Sequence, residues 1–221
     1  MNFTRAKNAM KPVLIIGGGG HAKVLIESLR KSNSKIIGLT DTVMAVGSFC
    51  CNVTVLGDDN LIYKYKPADI DLVNGLGSIP GEDNRWELER KFRNQDYSFA
   101  SIIHPSAVLA SDFQIKSGVQ IMAGVIIQPN VIIGKSCIIN TGVKVDHDCV
   151  IEEHCHLAPG VTLSGNVTIG KRTHIGTGTS VIQGVNVGQN CIIAAGSVIY
   201  KDVPSNTKVL QQRFTQLQDI F

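Results

Sequence analysis

Residues 131–157 read VIIGKSCIINTGVKVDHDCVIEEHCHL, and an aliphatic residue returns at every sixth position of this stretch. The phase continues in both directions, so sixteen consecutive hexads carry leucine, isoleucine or valine at one position. These residues are Leu109, Ile115, Ile121, Ile127, Ile133, Ile139, Val145, Ile151, Leu157, Leu163, Ile169, Ile175, Val181, Val187, Ile193 and Ile199. A period of six is not the 3.6 of a helical stripe, and its regularity indicates a repeat architecture.

A second set of smaller residues stands two positions before the aliphatic, and we expect both sets to face inward. It includes Val119, Val125, Val131, Cys137, Val143, Cys149, Cys155, Val161, Val167, Thr173, Thr179, Val185 and Cys191. The pattern predicts a parallel β-helix, in which roughly 18 residues complete one coil of a three-sided prism. Sixteen hexads then give about five coils. Four glycines follow the aliphatic directly, where we expect corners with positive φ: Gly134, Gly170, Gly176 and Gly188.

The cysteines belong to this packing pattern. Cys137, Cys149, Cys155 and Cys191 share the inward phase filled elsewhere by valine and threonine, so they are interpreted as small buried hydrophobic residues. None of the four lies in a CxxC motif, and we expect no metal site.

Composition narrows the function classes. With 21 Lys+Arg against 18 Asp+Glu the net charge is only +3, which does not favour nucleic-acid binding. Hydrophobic residues make up 43% of the chain but aromatic residues only 5%, so the core must be aliphatic. No apolar run approaches the ~18 residues of a membrane helix, and we expect a cytoplasmic protein.

The front of the chain follows another pattern. An apolar strand at residues 13–16 is followed by Gly17-Gly18-Gly19-Gly20-His21 and a helical stretch, then by a strand over residues 35–39 that ends at Asp41. A third strand over residues 70–74 leads to Gly77, and residues 84–93 read as a helix. This order predicts half of a Rossmann-type unit with three strand ends at one sheet edge.

The glycine turn and Asp41 suggest a nucleotide site. Glycines let a ligand approach the backbone, the helix N-terminus offers N–H groups to phosphate, and an acid at this spacing meets ribose or sugar hydroxyls. The turn has His21 where a dinucleotide fingerprint continues towards a third glycine, so a mononucleotide is favoured over NAD. A tight strand-to-helix connection without ligand is the alternative.

Four histidines lie within the repeat, at His147, His154, His156 and His174. None falls on an inward phase, so we expect all four to point outward or occupy corners. His147 stands between Asp146 and Asp148, and a carboxylate beside imidazole raises its basicity and holds one tautomer, as a general base requires. His156 and His174 are one coil apart and are expected to stack on one face.

The sequence resembles the bacterial hexapeptide-repeat sugar acetyltransferases, which include N-acetyltransferases of nucleotide-linked 4-amino-sugars and sialic acid O-acetyltransferase-like enzymes. The resemblance covers roughly residues 12 to 205. It rests on residues 15–24, on residues 103–107, on Asn140-Thr141-Gly142, on His147-Asp148-Cys149 and on residues 156–160.

The resemblance implies a left-handed β-helix, a homotrimer and an active site between neighbouring prisms. In such a site His147 is the base and Asp148 the acid that raises its basicity. His156, Asn140, Thr177 and Ala195 bind acetyl-CoA, His156 from the adjoining subunit. The nucleotide-sugar lies on Gly19, Gly20, His21, Asp41, Thr42 and Gly77.

The expected organisation is a nucleotide-sugar-binding domain over residues 12–100, the β-helix over residues 101–205 and a tail over residues 206–221. Family members commonly close with a Gly-x-Pro-Ala stretch beside the CoA tail, which this chain lacks. Phe214, Leu217 and Phe221 instead have helical spacing.

The expected activity is acetyl transfer from acetyl-CoA to the amine of a UDP-linked 4-amino-6-deoxy-sugar. O-acetylation of sialic acid or another glycan sugar is the alternative within the family. A zinc hydratase on the same fold and a non-enzymatic sugar sensor or scaffold are the alternatives from other classes. The first would need a histidine metal site, and the second has no need of Asp146-His147-Asp148.

Overall fold

The computed structural model describes residues 11–78 and 80–210. Its N-terminal part is a five-stranded sheet in the order β3-β4-β2-β1-β5. The strands are β1 (Val13–Ile16), β2 (Ile36–Thr40), β3 (Phe49–Cys50), β4 (Val53–Gly57) and β5 (Asp71–Asn74). The helices are α1 (Gly20–Lys31) and α2 (Asn84–Arg93), with a 3-10 helix at Asp59–Lys64.

The sequence prediction of this half-Rossmann unit is confirmed. β2, β1 and β5 are parallel neighbours, so their carboxyl ends lie at one edge. All four residues of β1 are buried because the sheet is covered on both sides, which explains their continuous apolar run. The sequence prediction missed β4, which is parallel to β2, and the two-residue β3, which is antiparallel to β4.

The second part is a left-handed parallel β-helix of two-residue strands. Three sheets of seven, six and five strands form its faces. The seven-stranded sheet is the face on which the N-terminal unit lies, and it is called the covered face. It consists of β6 (Ile102–Ile103), β9 (Gln120–Ile121), β12 (Ile138–Ile139), β15 (His156–Leu157), β18 (His174–Ile175), β21 (Ile192–Ile193) and β23 (Lys208–Val209). The second face consists of β7 (Val108–Leu109), β10 (Ile126–Ile127), β13 (Lys144–Val145), β16 (Thr162–Leu163), β19 (Ser180–Val181) and β22 (Val198–Ile199). The third face consists of β8 (Gln114–Ile115), β11 (Ile132–Ile133), β14 (Val150–Ile151), β17 (Thr168–Ile169) and β20 (Asn186–Val187).

The repeat is longer than its sixteen hexads predicted. Strand β6 precedes the first of them, and β23 follows the last, so the covered face has seven strands rather than the number expected from about five coils. The last coil is shorter than the others, because Ile193 pairs with Val209 and not with the residue 18 positions further along the chain. Because the six-residue spacing is interrupted before β23, the period did not predict this strand. The helical spacing at Phe214, Leu217 and Phe221 lies outside the described residues.

Both predicted inward phases fill the prism. The two sets form one continuous buried cluster from Val119 to Val203. Cys137, Cys149, Cys155 and Cys191 are at most 1% exposed, and all of the cysteines are free, so their interpretation as packing residues is confirmed.

The prediction of positive φ directly after the aliphatic was wrong. Gly134, Gly170, Gly176 and Gly188 do not have it; a Cβ on any of them would lie 2.4–2.6 Å from a backbone nitrogen of the next coil. Glycine is required there by close stacking of the coils. Positive φ occurs two positions later instead, for example at Gly142 and Asp148.

The N-terminal unit lies on the covered face. Ile102 and Met122 pack into the same cluster as Ala22 and Leu25 of α1. From α2, the buried Glu89 contacts the Ser136 hydroxyl and pairs with Arg93. No helix in the described ranges is both long and apolar enough to cross a bilayer.

Candidate active site

A cavity of about 320 Å³ lies at the carboxyl edge of the N-terminal sheet. It is where the ends of β1, β2 and β5 meet, which is the usual ligand position in such sheets. Every residue predicted to bind the nucleotide-sugar lines it, namely Gly19, Gly20, His21, Asp41, Thr42 and Gly77. The glycine loop leads directly into α1, whose first turn directs backbone N–H groups towards this space.

Asp41 holds the walls of this cavity together. Its Oδ2 accepts the Gly18 N–H at 2.7 Å, while Oδ1 accepts the N–H groups of Val43 and Met44 at 2.8 and 2.9 Å. These bonds favour the ionised carboxylate and lower its pKa. A Cβ at Gly18 would lie 2.5 Å from the Met44 sulfur and 3.2 Å from Asp41 Oδ2, so a larger residue there would displace the Met44 side chain and crowd Asp41.

His21 connects the cavity to the β-helix. Its Nε2 lies 2.7 Å from Oε1 of Gln120, whose amide donates to the Asn74 carbonyl at 2.8 Å. Burial and the nearby Arg85 guanidinium lower the pKa of His21 to about 4. The imidazole is therefore neutral at pH 7, and because Gln120 Oε1 can only accept, His21 Nε2 carries the proton.

The cavity has one acidic side chain that the sequence prediction missed. Asp59 follows β4 and lines the wall beside Asp41 and Thr42. Its Oδ1 accepts the hydroxyl of the buried Thr40 at 2.7 Å. The only signal in the sequence was the pair Asp58-Asp59 after a short stretch of alternating apolar and polar residues. Without β4 this pair could not be assigned to the edge of the sheet.

His147 and Asp148 form a hydrogen-bonded pair on one edge of the prism. His147 Nδ1 lies 2.7 Å from Asp148 Oδ2, and the amide of Asn130 donates to the other Asp148 oxygen at 3.1 Å. The contact with Asp148 raises the pKa of His147 and lowers that of Asp148. Asp146 accepts the backbone N–H of His147 instead of touching its ring.

The pairing determines which ring nitrogen can act as a base. With Nδ1 donating to Asp148, the lone pair is on Nε2. The ring lies against Gly165 of the next coil, where a Cβ would be 2.6 Å from Nε2. Gly165 thus leaves the space that the imidazole occupies, and the sequence prediction did not identify this residue.

His156 is in a different environment. Its side chain leaves the prism, as predicted, but the N-terminal unit covers it and it is buried. Asn140 Oδ1 accepts the Thr141 N–H at 2.8 Å, so its amide faces His156 Nε2 at 3.2 Å. Burial, together with the neighbouring His174, His21 and Arg85 side chains, lowers the pKa of His156 to about 3.

His174 stacks against His156 as predicted. The two are paired across β15 and β18, and their rings meet edge to face at 4.8 Å between centroids. His154 occupies a corner with φ of 59°, and burial lowers its pKa.

Thr177 and Ala195 lie one coil apart on the edge between the covered and second faces. This Ala195 edge also carries Thr141 and Pro159, and each coil donates a backbone N–H to the one before, as from Gly196 to the Thr177 carbonyl at 2.7 Å. Both residues are exposed. A Cβ on Gly176 would meet the Ala195 nitrogen at 2.5 Å.

One chain does not bring all the predicted residues together. His147 lies on the edge between the second and third faces, stacked between Pro129 and Gly165, whereas Asn140 and Ala195 lie on the Ala195 edge. The second face separates the two sets. Within the ranges that the structure describes, no three His, Cys, Asp or Glu side chains are grouped to hold a metal ion.

Three family models match the chain. The model of the PglD N-terminal domain matches residues 12–84. The model of the bacterial transferase hexapeptide (six repeats) matches residues 130–165, and that of the hexapeptide repeat of succinyl-transferase matches residues 166–201. No curated protein sequence matches the chain.

Solved structures match over both parts. A variant of perosamine N-acetyltransferase from Caulobacter crescentus, in complex with CoA and GDP-perosamine, is 37% identical with a TM-score of 0.82, covering 90% of this chain and 93% of its own. PerB from Caulobacter crescentus, with the same ligands, is 40% identical with a TM-score of 0.81, at 90% and 94% coverage. The acetyltransferase domain of PglB from Neisseria gonorrhoeae, in complex with acetyl coenzyme A, is 28% identical with a TM-score of 0.82, at 90% and 95% coverage. The chain belongs to the bacterial hexapeptide-repeat sugar acetyltransferases.

Proposed function

We propose that this protein is an N-acetyltransferase that moves the acetyl group of acetyl-CoA onto the amine of a nucleotide-linked 4-amino-6-deoxy-sugar, with His147 as general base. The observation that carries the proposal is the 2.7 Å contact between His147 Nδ1 and Asp148, which leaves Nε2 unprotonated and raises its basicity.

The reaction needs one base and no covalent intermediate. The thioester is already activated, so the amine nitrogen attacks the acetyl carbon, the C–S bond breaks and CoA leaves as a thiolate that takes up a proton. His147 Nε2 accepts the proton that the amine loses. The cysteines of the β-helix core are at most 1% exposed and cannot serve as acetyl carriers. Direct transfer between two bound substrates follows.

The acceptor lies on the N-terminal unit. The cavity beside the glycine loop has the backbone donors that a diphosphate requires, and Asp41 and His21 form its walls. Both Caulobacter relatives are in complex with GDP-perosamine, and one of them is named a perosamine N-acetyltransferase. These observations favour an amine on a nucleotide-linked sugar over the hydroxyl of sialic acid. The sequence prediction of uridine as the nucleoside stays a prediction.

Acetyl-CoA is assigned to the Ala195 edge, with His156 and Asn140 near the thioester. CoA or acetyl-CoA is bound in all three relatives described above. Because His147 and the Ala195 edge are separated within one chain, a complete site needs His147 from one subunit and the Ala195 edge from another. A cyclic homotrimer satisfies this requirement, since each prism then presents both edges to different neighbours.

The direct test is acetyl-CoA consumption with UDP-, TDP- and GDP-linked 4-amino-6-deoxy-sugars beside sialic acid. We expect turnover with an amino-sugar, and a loss of about 10²–10⁴ in kcat for His147→Ala with both substrates still bound. Turnover only with sialic acid would favour O-acetylation. Near wild-type turnover of His147→Ala would remove the base assignment.

The shared site is tested by mixing subunits. His147→Ala and Ala195→Trp, which obstructs the opposite edge, are each expected to be inactive. Co-expressed in equal amounts with two different tags and purified over both, they should recover activity, because every trimer that contains both variants has one of its three interfaces made of two intact halves. No recovery, with mixed trimers confirmed by mass, would contradict a site made from two chains.

A further inference from the structure

The nucleotide cavity extends along three adjacent strand ends. β1 ends at the glycine loop, β2 ends beside Asp41, and β4, the outer neighbour of β2, ends just before Asp59. In nucleotide-binding folds of this kind the phosphates lie at the first position and the ribose at the second. A nucleoside that continued in this direction would have its base at the end of β4.

Asp59 is the charged group at that position. The hydroxyl of Thr40, which has no exposed surface, donates to its Oδ1 at 2.7 Å and holds the carboxylate in place. Its Oδ2 has no hydrogen-bond partner within the part of the chain that the structure describes. The adjacent Asp58 differs, because both of its oxygens bind Asn60 and it lies outside the cavity.

An ionised carboxylate can only accept hydrogen bonds, so it selects bases by their donors. Guanine presents two neighbouring donors, N1–H and the N2 amino group, which match the two carboxylate oxygens. Uracil presents one N–H between two carbonyl oxygens, and these would face the carboxylate unfavourably. Val43, which lines the cavity and is 91% exposed, provides apolar surface for the face of a base.

We propose that Asp59 recognises guanine, so that the acceptor of this enzyme is a GDP-linked amino-sugar. This inference rests on the proposed function and replaces the uridine of the sequence prediction. It makes Asp59 a specificity-determining residue and Thr40 its positioning residue.

The charge of the ligand makes the proposal sensitive to test. A nucleoside diphosphate is an anion, so a carboxylate that made no bond to it would weaken the binding of every nucleotide equally. Asp59→Asn removes this charge and can no longer accept from both N1–H and the N2 amino group of guanine, while its amide can donate to a carbonyl oxygen of uracil. GDP affinity should therefore fall, while UDP affinity should stay unchanged or rise.

The experiment measures dissociation constants of free GDP and UDP by calorimetry on the full chain. Wild type should bind GDP at least about tenfold more tightly than UDP, because unpaired polar groups penalise the wrong ligand. Asp59→Asn should weaken GDP binding about tenfold and leave UDP binding unchanged or stronger. Asp58→Asn, with the same charge change outside the cavity, should keep the wild-type preference. Equal affinities in wild type, or equal changes for both nucleotides in Asp59→Asn, would overturn the proposal.

A second variant separates recognition from folding. Thr40→Val keeps the shape of a buried side chain but removes the hydroxyl that holds Asp59, so it should reduce the GDP preference while UDP affinity stays constant. Melting temperatures of all variants identify any that fail to fold. Nucleotide binding does not need acetyl transfer, so a guanine preference without any turnover would remove only the proposed function. Turnover with a UDP-sugar and no guanine preference would remove only this inference.

Discussion

His147 and His156 are nine positions apart in the same repeat, yet their pKa values are shifted in opposite directions. His147 is on an uncovered edge beside Asp148, and this carboxylate raises its pKa. His156 is beneath the N-terminal unit, and burial lowers its pKa to about 3. The difference shows that the solenoid supplies regular positions, while neighbours brought by the corners and by the second domain give each imidazole its properties.

The largest effect is expected from Asp148→Asn, which should change the tautomer of His147. Asp148→Asn suits the backbone, because Asp148 has φ of 60° and asparagine also adopts this region. The side-chain oxygen of the new asparagine can still accept from the Asn130 amide. Its NH2 group would then donate to His147 Nδ1, so the imidazole proton would move to Nε2. We expect kcat/KM to fall about 10²-fold or more.

The same variant should change the pH profile with a definite sign. Asp148 raises the pKa of His147, and the base works only when neutral, so wild-type activity falls below that raised pKa. Losing the carboxylate lowers the pKa, and the acid limb of kcat/KM should move to lower pH. Asp146→Asn is the control with a smaller expected shift, because Asp146 hydrogen-bonds only the backbone N–H of His147 and acts on its ring through charge alone. A larger loss in Asp146→Asn would contradict the pairing.

A smaller effect is expected from moving the ring without changing it. Gly165 does not need positive φ, so Gly165→Ala should fold, but its Cβ would lie 2.5–2.6 Å from two atoms of the His147 ring. The imidazole must shift outward, and we expect kcat to fall about tenfold because small misplacements of a base are costly.

The matched control for Gly165→Ala is Gln183→Ala, one coil further along the same edge, which should keep full activity. The acid limb of the pH profile should stay in place in both variants if Asp148 moves with the ring. Unchanged kcat in Gly165→Ala would show that Gly165 does not position His147.

These residues also show what the sequence could and could not predict. The β-helix was predictable because one side-chain period determines the fold, and Asp148 was identified because it is adjacent to His147. Gly165 is one coil away, and its role depends on a ring lying above it. Asp59 depended on β4, whose residues are only partly buried and lack the fully buried apolar run that identified β1. The burial of His156 could not be predicted because the repeat alone does not say which face the second domain covers.

The buried His156 should make the free energy of unfolding depend on pH in the opposite sense to the exposed His147. His156 has a folded-state pKa of about 3, below the ordinary value of 6.5, so its stabilising contribution is complete above 6.5. That contribution is lost as pH falls towards 3, because the unfolded chain takes up the proton first. At pH 5 the loss is about 2 kcal/mol for this one group.

Thermal unfolding at pH 7.5 and pH 5.0 tests this expectation. Wild type should melt at a lower temperature at pH 5.0, and His156→Gln, which keeps an acceptor for the Asn140 amide, should show a smaller decrease. His147→Gln should retain the full decrease, because its partner Asp148 raises the pKa of His147 and any stabilisation from that pair persists at low pH. Equal decreases in wild type and His156→Gln would mean that His156 is not the group whose burial opposes protonation, and would leave His21, with a pKa of about 4, as the residue to replace next.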